Sequence, residues 1–350
     1  MLNRYKILIA LAVLFSLTAV DTPNDQEVNN MVIIGGGVSG LSAAIYASRA
    51  ELNPLVIEGK SSQLTKASLI ENMPGVLPIL GLDLSTNLHD QAEAHGTRFL
   101  KSSVERVDFS TRPFKIWTSN SEEIPVLANS IIVATGTRQG KLNCPGESKY
   151  QNKGVALCAT CDGPLFKDKS IILIGGDYSA LREAIILSKF TNKLKIINKG
   201  PKLKGPKSLL NPVLKNPNIE ILNNTEAIEI TGNEDYVIGV KILSKKDNQE
   251  DIIPADVIFI ATNWIPETDL FKNYLELDPK KRIKVHNNTE TSVPGVFAAG
   301  DATTKARHQV PIASAFGYMA GMDSEEYLLK NNLLPDPVHG ECSTLRQSSG

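Results

Sequence analysis

A glycine-rich turn at residues 35–40 constrains the fold of this chain more than any other feature of its sequence. The apolar run 31–34 precedes the turn and predicts a buried strand; helical spacing follows, and then a second apolar strand ends in Glu58. This order matches the GxGxxG fingerprint of a dinucleotide-binding unit, in which a pyrophosphate binds at the helix N-terminus. The predicted nucleotide contacts are Gly35, Gly37, Ser39, Gly40 and Glu58.

A second unit with the same order begins near Ser170. Residues 171–174 predict a buried strand, the turn 175–180 follows, and a helix and another strand complete the pattern. Asp177 occupies the position of the second fingerprint glycine, where its carboxylate would repel a pyrophosphate and block the approach of the backbone. The candidate nicotinamide-nucleotide contacts of this unit are Gly175, Gly176, Ser179, Ala180 and Lys199.

The last strand of the second unit ends in Asn198, so it offers no acid to hold a ribose hydroxyl. Lys199 and three further lysines follow within the next eight residues. These lysines are compatible with a solvated basic loop and also with a site that attracts the 2′-phosphate of NADPH. The sequence leaves both interpretations open.

The four cysteines of the chain are too few for a disulfide framework, and Cys158 and Cys161 are the two in CxxC spacing. A zinc site would need a second pair of ligands at similar spacing, and the sequence contains neither a second CxxC nor an HxxxH. A redox pair is therefore favoured over zinc, and we predict no metal site. A CxxC pair at a helix N-terminus has one thiol of lowered pKa and supplies thiolate near neutral pH.

With Cys-Ala-Thr-Cys-Asp-Gly at residues 158–163 between the two units, the chain resembles the low-molecular-weight thioredoxin reductases over about residues 31–330. The resemblance implies an α/β fold of two Rossmann-like three-layer domains, the second inserted into the first, and a homodimer. The implied division is an FAD-binding domain at 31–141 and 269–333, an inserted domain at 142–268 that carries the CxxC, and a disordered tail at 334–350.

The resemblance also implies an FAD cofactor and further contacts to it. In this reading Asp301 accepts from the ribityl chain, and the helix that begins near Gln309 and Val310 aims its N-terminus at the flavin ring. His308 stands where the family usually has arginine. The implied contacts are Gln63, Leu64, Asn72, Ala134, Thr135, Gly136, Gly300, Asp301, His308, Gln309 and Val310.

By the same resemblance Cys161 faces the flavin, and Cys158 is the interchange thiol that attacks a partner disulfide. Asp162 takes the family's acid/base position and protonates the leaving thiolate; the alternative for this residue is a helix N-cap. We expect Cys144, in a turn before a proline, and Cys342, in the polar tail, to be incidental.

The sequence departs from the family in its nicotinamide half. Members that use NADPH carry glycine at the position of Asp177 and a basic cluster at 198–200, and Arg182 replaces an acid. We therefore expect an FAD-dependent thiol–disulfide oxidoreductase that acts on a thioredoxin-like protein or another dithiol or disulfide, with the NADPH donor left open. The alternatives are a flavin dithiol oxidase that reduces oxygen, a ferredoxin-linked disulfide reductase and a non-catalytic flavin-binding protein.

The N-terminus differs in composition from the rest of the chain. An apolar run at 7–20 follows Arg4 and Lys6, which fits a secretory h-region or an uncleaved membrane anchor through residues 4–20. A start at Met31 is the third possibility. We expect an exported or membrane-anchored protein, otherwise a cytoplasmic one, with residues 1–30 outside the fold. The formal net charge of −1 argues against a nucleic-acid partner.

Overall fold

The computed structural model of the chain describes residues 27–59, 62–67, 69–262 and 264–334. The expected signal or anchor segment and the tail with Cys342 lie outside the described residues. Among the helices of the described part, none has the length and apolar character needed to cross a bilayer.

Helices and strands of the described residues alternate around the two glycine-rich turns, and elsewhere several strands follow one another directly. The helices are α1 (Val38–Arg49), α2 (Gly81–Ala94), α3 (Ala159–Asp162), α4 (Tyr178–Leu187), α5 (Lys207–Lys215) and α6 (Val310–Lys330). The strands are β1 (Val28–Ile34), β2 (Leu55–Glu58), β3 (Leu69–Ile70), β4 (Ile79–Leu80), β5 (Arg98–Lys101), β6 (Val104–Asp108), β7 (Phe114–Thr118), β8 (Ser121–Val133), β9 (Thr137–Gln139), β10 (Val155–Ala156), β11 (Ile171–Ile174), β12 (Leu194–Asn198), β13 (Ile219–Asn223), β14 (Thr225–Gly232), β15 (Val237–Ser244), β16 (Glu250–Pro254), β17 (Val257–Ile260), β18 (Trp264–Pro266) and β19 (Val296–Ala298).

The larger sheet has the order β5-β2-β1-β8-β7-β6, and β19 pairs with β8. Strand β1 runs parallel to both β2 and β8, and the side chains of its last four residues are buried. Helices α1 and α6 cover one face of this sheet, while the aromatic cluster around Phe109 and Phe271 covers the other. A strand covered on both faces must be apolar throughout, which explains the unbroken run at 31–34.

The smaller sheet is parallel, with the order β10-β17-β11-β12-β13. Helices α4 and α5 pack on one face, and the antiparallel sheet β14-β15-β16 packs on the other. Its strands all fall between residues 155 and 260, whereas the larger sheet uses residues on both sides of that range. The second unit is therefore an insertion in the first, and the predicted fold class is confirmed.

The two chain passes between the sheets pair with each other, because β9 and β18 form an antiparallel ladder. Hydrogen bonds reinforce this crossing: Gln139 Nε2 donates to the Ile260 carbonyl at 2.9 Å, and Thr135 Oγ1 donates to the Glu267 carbonyl at 2.6 Å. The unit with the larger sheet and the inserted unit, which carries the CxxC segment, are thus joined by the short strands β9 and β18.

Helices α1 and α6 pack closely although they come from opposite ends of the described chain. A Cβ added at Gly317 would overlap the carbonyl oxygen of Ser39, so only glycine permits this approach. The Ser42 and Ser314 hydroxyls lie 2.9 Å apart across the interface. Tyr46 of α1 also donates a hydrogen bond to a carboxylate of α6. Helix α1, which begins at the first glycine-rich turn, therefore has α6 as its direct packing partner.

Two boundaries differ from the sequence-based expectation. Residues up to 30 were expected to lie outside the fold, but Val28 and Asn29 pair with the long strand β8. The pairing partner lies about a hundred residues away, so the apolar pattern could not reveal it. Helix α4 was expected to reach Phe190 but ends at Leu187, because the next residues form a turn in which Phe190 N donates to the Leu187 carbonyl.

Candidate active site

The turn at residues 35–40 leaves the N-terminus of α1 open. Its N-cap is Gly37, which has no side chain to cap the helix. Among the residues that the structure describes, a Cβ added there would meet only the Cβ of Ser62, at 3.9 Å. A Cβ at Gly40 would overlap the Gly35 carbonyl, so the turn closes tightly behind this open space. Unsatisfied N–H groups beside free space form an anion site. The turn therefore fits a dinucleotide pyrophosphate.

Glu58 ends β2 directly beside this turn. Its side chain contacts Gly36 so closely that a Cβ on that glycine would overlap the carboxylate. His89 of α2 places Nε2 3.5 Å from the Glu58 carboxylate and stacks on Phe99 with 3.9 Å between ring centroids. His89 thus orients the acid expected to accept from a ribose hydroxyl. The sequence did not point to His89, since nothing in the local pattern links α2 to β2.

The other residues implied for FAD lie around the N-termini of α1 and α6. Ala134 lies against Gly35, Gly300 lies against Ser39, and Gly136 and Gly300 both have positive φ. Leu64, which opens a 3₁₀ turn just after Gln63, packs with Val38 and Val310 in one apolar cluster. These segments come from four separate parts of the sequence, and the fold brings them to one end of the larger sheet.

Asp301 and His308 form the polar centre of the second FAD segment. The Asp301 Oδ1 atom accepts from the backbone nitrogen of His308 at 3.0 Å, and Nδ1 of His308 lies 3.3 Å from Oδ2. The His308 ring stacks on Trp264, with 4.8 Å between centroids. Gln309 is the N-cap of α6, and its Oε1 accepts from Asn72 at 2.8 Å. Asn72 and Gln309, both implied for FAD, therefore contact each other.

Cys158 and Cys161 form a disulfide whose two residues are half-buried. Cys158 is the N-cap of α3, and its Sγ accepts from the backbone nitrogen of Cys161 at 3.2 Å. The predicted placement of CxxC at a helix N-terminus is therefore found. Asp162 is the last residue of α3, and it forms no side-chain cap for the 3₁₀ turn that follows. Asp162 does occupy the N-cap position of that turn, so both interpretations of this residue, acid and N-cap, stay predictions.

Glu183 of α4 is a functional candidate that the sequence analysis did not include. Its carboxylate accepts a hydrogen bond from the backbone nitrogen of Ala159, the residue after Cys158. Burial raises the pKa of the Glu183 carboxyl, and the negative charge of Asp162 acts in the same direction. The hydrogen bond from Ala159 and the positive charge of Arg182 lower this pKa, but by less than burial raises it. A carboxyl group thus lies against the start of the CxxC helix.

Asp177 caps the N-terminus of α4, the helix of the second unit that corresponds to α1 in the first. It is the N-cap of α4, and its Oδ1 accepts from the backbone nitrogens of Ser179 at 3.0 Å and Ala180 at 3.4 Å. Those two N–H groups are the donors that a nucleotide phosphate would need. Gly175 and Gly176 complete the turn, and a Cβ on Gly176 would overlap the side chain of Asn198.

Lys199, the remaining nicotinamide candidate, forms an ion pair with Glu226, and Lys245 lies 3.4 Å from the same carboxylate. The hydrogen bond from Lys199 is the main cause that lowers the pKa of Glu226. Asn198 donates to Asn223 Oδ1 at 2.7 Å. The lysine that was one candidate for binding a 2′-phosphate therefore already has an anionic partner.

Cys144 lies half-buried against the core of the inserted unit. Burial raises the pKa of its thiol, which keeps the sulfur protonated and poorly nucleophilic. It takes no part in the arrangement around Cys158.

On the surface of α2, the ligand atoms of His89, Asp90 and Glu93 lie within 4.8 Å of one another.

Residues 29–317 match the family of pyridine nucleotide-disulphide oxidoreductases. The chain belongs to this family. It is 36% identical to thioredoxin reductase 1 of Saccharomyces cerevisiae over 312 residues, covering 86% of this chain and 98% of the yeast protein. It is 38% identical to the thioredoxin reductase of Rickettsia prowazekii over 306 residues, again 86% and 98% of the two chains. The structure of thioredoxin reductase from Giardia duodenalis superposes with a TM-score of 0.81 at 35% identity, covering 86% of this chain and 98% of that one.

These similarities confirm the resemblance to thioredoxin reductases that the sequence motifs indicated. This family member is an FAD-dependent thiol–disulfide oxidoreductase, and the comparisons favour that interpretation over an oxidase, a ferredoxin-linked enzyme or a non-catalytic flavoprotein. Bound FAD supplies two-electron redox chemistry to this fold. The residues at the N-termini of α1 and α6 would hold it, and the Cys158–Cys161 disulfide is the redox group of the chain itself.

Proposed function

We propose that this enzyme reduces the disulfide of a thioredoxin-like protein through Cys158 and Cys161. The observation that carries the proposal is a half-buried disulfide at the start of a helix, with Asp162 next to it in sequence. The helix N-terminus stabilises a thiolate at Cys158, and partial exposure gives a partner disulfide access to it. The names of the relatives support a thioredoxin as the partner.

The exchange balances without a further reagent. The Cys158 thiolate attacks one sulfur of the partner disulfide, the partner S–S bond breaks, and the other partner sulfur leaves as a thiolate that Asp162 protonates. Cys161 then attacks Cys158, so the Cys158–Cys161 bond forms and the partner departs as a dithiol. FAD, which the residues at the N-termini of α1 and α6 would hold, would supply the two electrons that reduce the Cys158–Cys161 bond again.

We further propose that NADPH is a weakly bound electron donor. Two features of the inserted unit support this: Asp177 occupies the N–H donors of the turn, and Lys199 is paired with Glu226. The contrast with the uncapped turn at Gly37 supports tight dinucleotide binding at the FAD unit only.

Anaerobic titration of the purified flavoprotein with NADPH, NADH and a dithiol tests both proposals. We expect the dithiol to bleach the flavin at near-stoichiometric amounts, and NADPH to do so only in large excess. The reduced enzyme should then convert an added oxidised thioredoxin to its dithiol. A reduced flavin that leaves thioredoxin oxidised would contradict the substrate, and stoichiometric bleaching by NADPH would contradict the weak donor site.

The remaining proposals concern location and assembly. We propose export or membrane attachment through residues 4–20, which the basic and then apolar composition of that segment supports. We also propose a homodimer, by analogy with the resemblance noted in the sequence. Fractionation of cells expressing the full chain, and sedimentation of the purified protein, test these two statements separately.

A further inference from the structure

Glu183 joins the second nucleotide-type unit to the redox pair. It lies on α4 six residues after Asp177, and its carboxylate accepts from the backbone of Ala159, which is fully buried. Helices α3 and α4 pack directly against each other, so the bond spans an internal contact. A partly buried acceptor therefore holds the first residue of the CxxC helix in place.

The same bond determines where the first N–H groups of α3 donate. The N–H of Cys161 points to Cys158 Sγ, where it would stabilise a thiolate. The N–H of Ala159 points instead to the carboxylate of Glu183. An ionised Glu183 takes up the N–H group of Ala159 and adds a negative charge at the residue that follows Cys158. Both effects disfavour the Cys158 thiolate.

The titratable groups around Glu183 come from three elements. Asp162 of α3 adds negative charge near it and Arg182 of α4 adds positive charge, while His308 of the FAD segment adds positive charge when it is protonated. Glu183 therefore lies within electrostatic range of both Asp162 in the CxxC helix and His308 in the second FAD segment. Its charge state responds to both.

We propose that Glu183 is a positioning residue, which fixes the CxxC turn through Ala159 and whose negative charge restrains formation of the Cys158 thiolate. The assignment of Cys158 as the attacking thiol rests on the proposed function. The positioning role itself requires only the hydrogen bond and the charge.

The test uses the FAD-loaded, dithiol-reduced enzyme and compares Glu183→Gln with Glu220→Gln. Glutamine keeps an acceptor for Ala159 but removes the charge, and Glu220 is an exposed carboxylate of the same unit that pairs with Lys195. The readout is the rate of alkylation of Cys158 by iodoacetamide as a function of pH, with peptide mapping to separate Cys158 from the other cysteines. We expect the apparent thiol pKa to fall by about one unit in Glu183→Gln and to be unchanged in Glu220→Gln.

Glu183→Asp keeps the charge on a shorter side chain and serves as the conservative variant; its thiol pKa should return toward that of the parent enzyme. A parent-like alkylation profile in Glu183→Gln would overturn the proposal, and so would an equal shift in Glu220→Gln. If the parent enzyme shows no alkylation of Cys158 at any pH, the proposed function fails rather than the role of Glu183. If Glu183→Gln does not fold, Glu183→Ala decides: a fall in the Cys158 pKa supports the charge role, and a parent-like pKa overturns it.

Discussion

The Oδ1 atom of Asp177 lies 3.0 Å from the backbone nitrogen of Ser179 and accepts its hydrogen bond. In the first fingerprint turn the corresponding N-cap is Gly37, which makes no side-chain bond to its helix. Two turns of the same architecture are therefore in opposite states: one helix N-terminus is open to a phosphate, and the other is already satisfied by a carboxylate of its own chain.

Replacement of Asp177 by glycine should strengthen NADPH binding. The change frees two N–H donors and removes a negative charge from the phosphate site, so we expect the Kd to fall roughly tenfold, or ~1.4 kcal/mol. Isothermal titration of the oxidised flavoprotein with NADPH measures the effect. Asp177→Asn keeps the cap without the charge and should give an intermediate Kd; an unchanged Kd in both variants would contradict our view of the site.

Replacement of Cys161 by serine should trap a mixed disulfide with the partner. The Cys158 thiolate can still attack, but the second thiol that resolves the intermediate is missing. Incubation with an oxidised thioredoxin that carries a single reactive disulfide, followed by non-reducing mass analysis, should show a covalent complex through Cys158. Cys158→Ser should form none, and a complex through Cys161 instead would reverse the assigned roles of the two thiols.

Alanine at Gly37 and at Gly40 should have different consequences although the two glycines belong to one motif. Gly37 borders free space, so Gly37→Ala should keep the free energy of unfolding of the apoprotein within about 1 kcal/mol of the parent while lowering FAD affinity. Gly40→Ala forces a side chain into the Gly35 carbonyl and should lower that free energy by about 2–3 kcal/mol. Urea unfolding of the apoproteins and flavin retention on gel filtration separate the two outcomes.

Tyr46→Phe should weaken the contact between α1 and α6, and its effect should depend on pH. The hydrogen bond to Glu325 raises the pKa of Tyr46 to about 12, from an ordinary value of 10.0. Because the folded-state pKa is the higher one, the stabilisation is complete below pH 10 and disappears as the pH rises through 12. We expect a loss of about 1 kcal/mol at neutral pH, since the pair is partly exposed. Urea unfolding at several alkaline pH values should show the variant and the parent converging.

Local pattern was enough to find both fingerprint turns and the redox pair. The run at 31–34 and the glycines after it predict a strand and a tight turn because the reasons for both are local. Asp177 was recognised as a departure, but its capping bonds require knowledge of the helix that it begins. Glu183 and His89 escaped notice because each acts across a contact between elements far apart in the sequence, and no short-range pattern records such a contact.

The packing of α6 onto α1 has a consequence for the order in which the protein matures. The Ser42 and Ser314 hydroxyls that meet across this interface are 272 positions apart. At roughly 5–20 residues per second, a ribosome needs on the order of tens of seconds to synthesise the chain from Ser42 to Ser314. The CxxC-bearing module, whose strands end at residue 260, has emerged well before that. The inserted unit is thus complete while the FAD unit still lacks its last helix. A nascent chain that ends before Val310 would carry a complete CxxC unit and an incomplete FAD site.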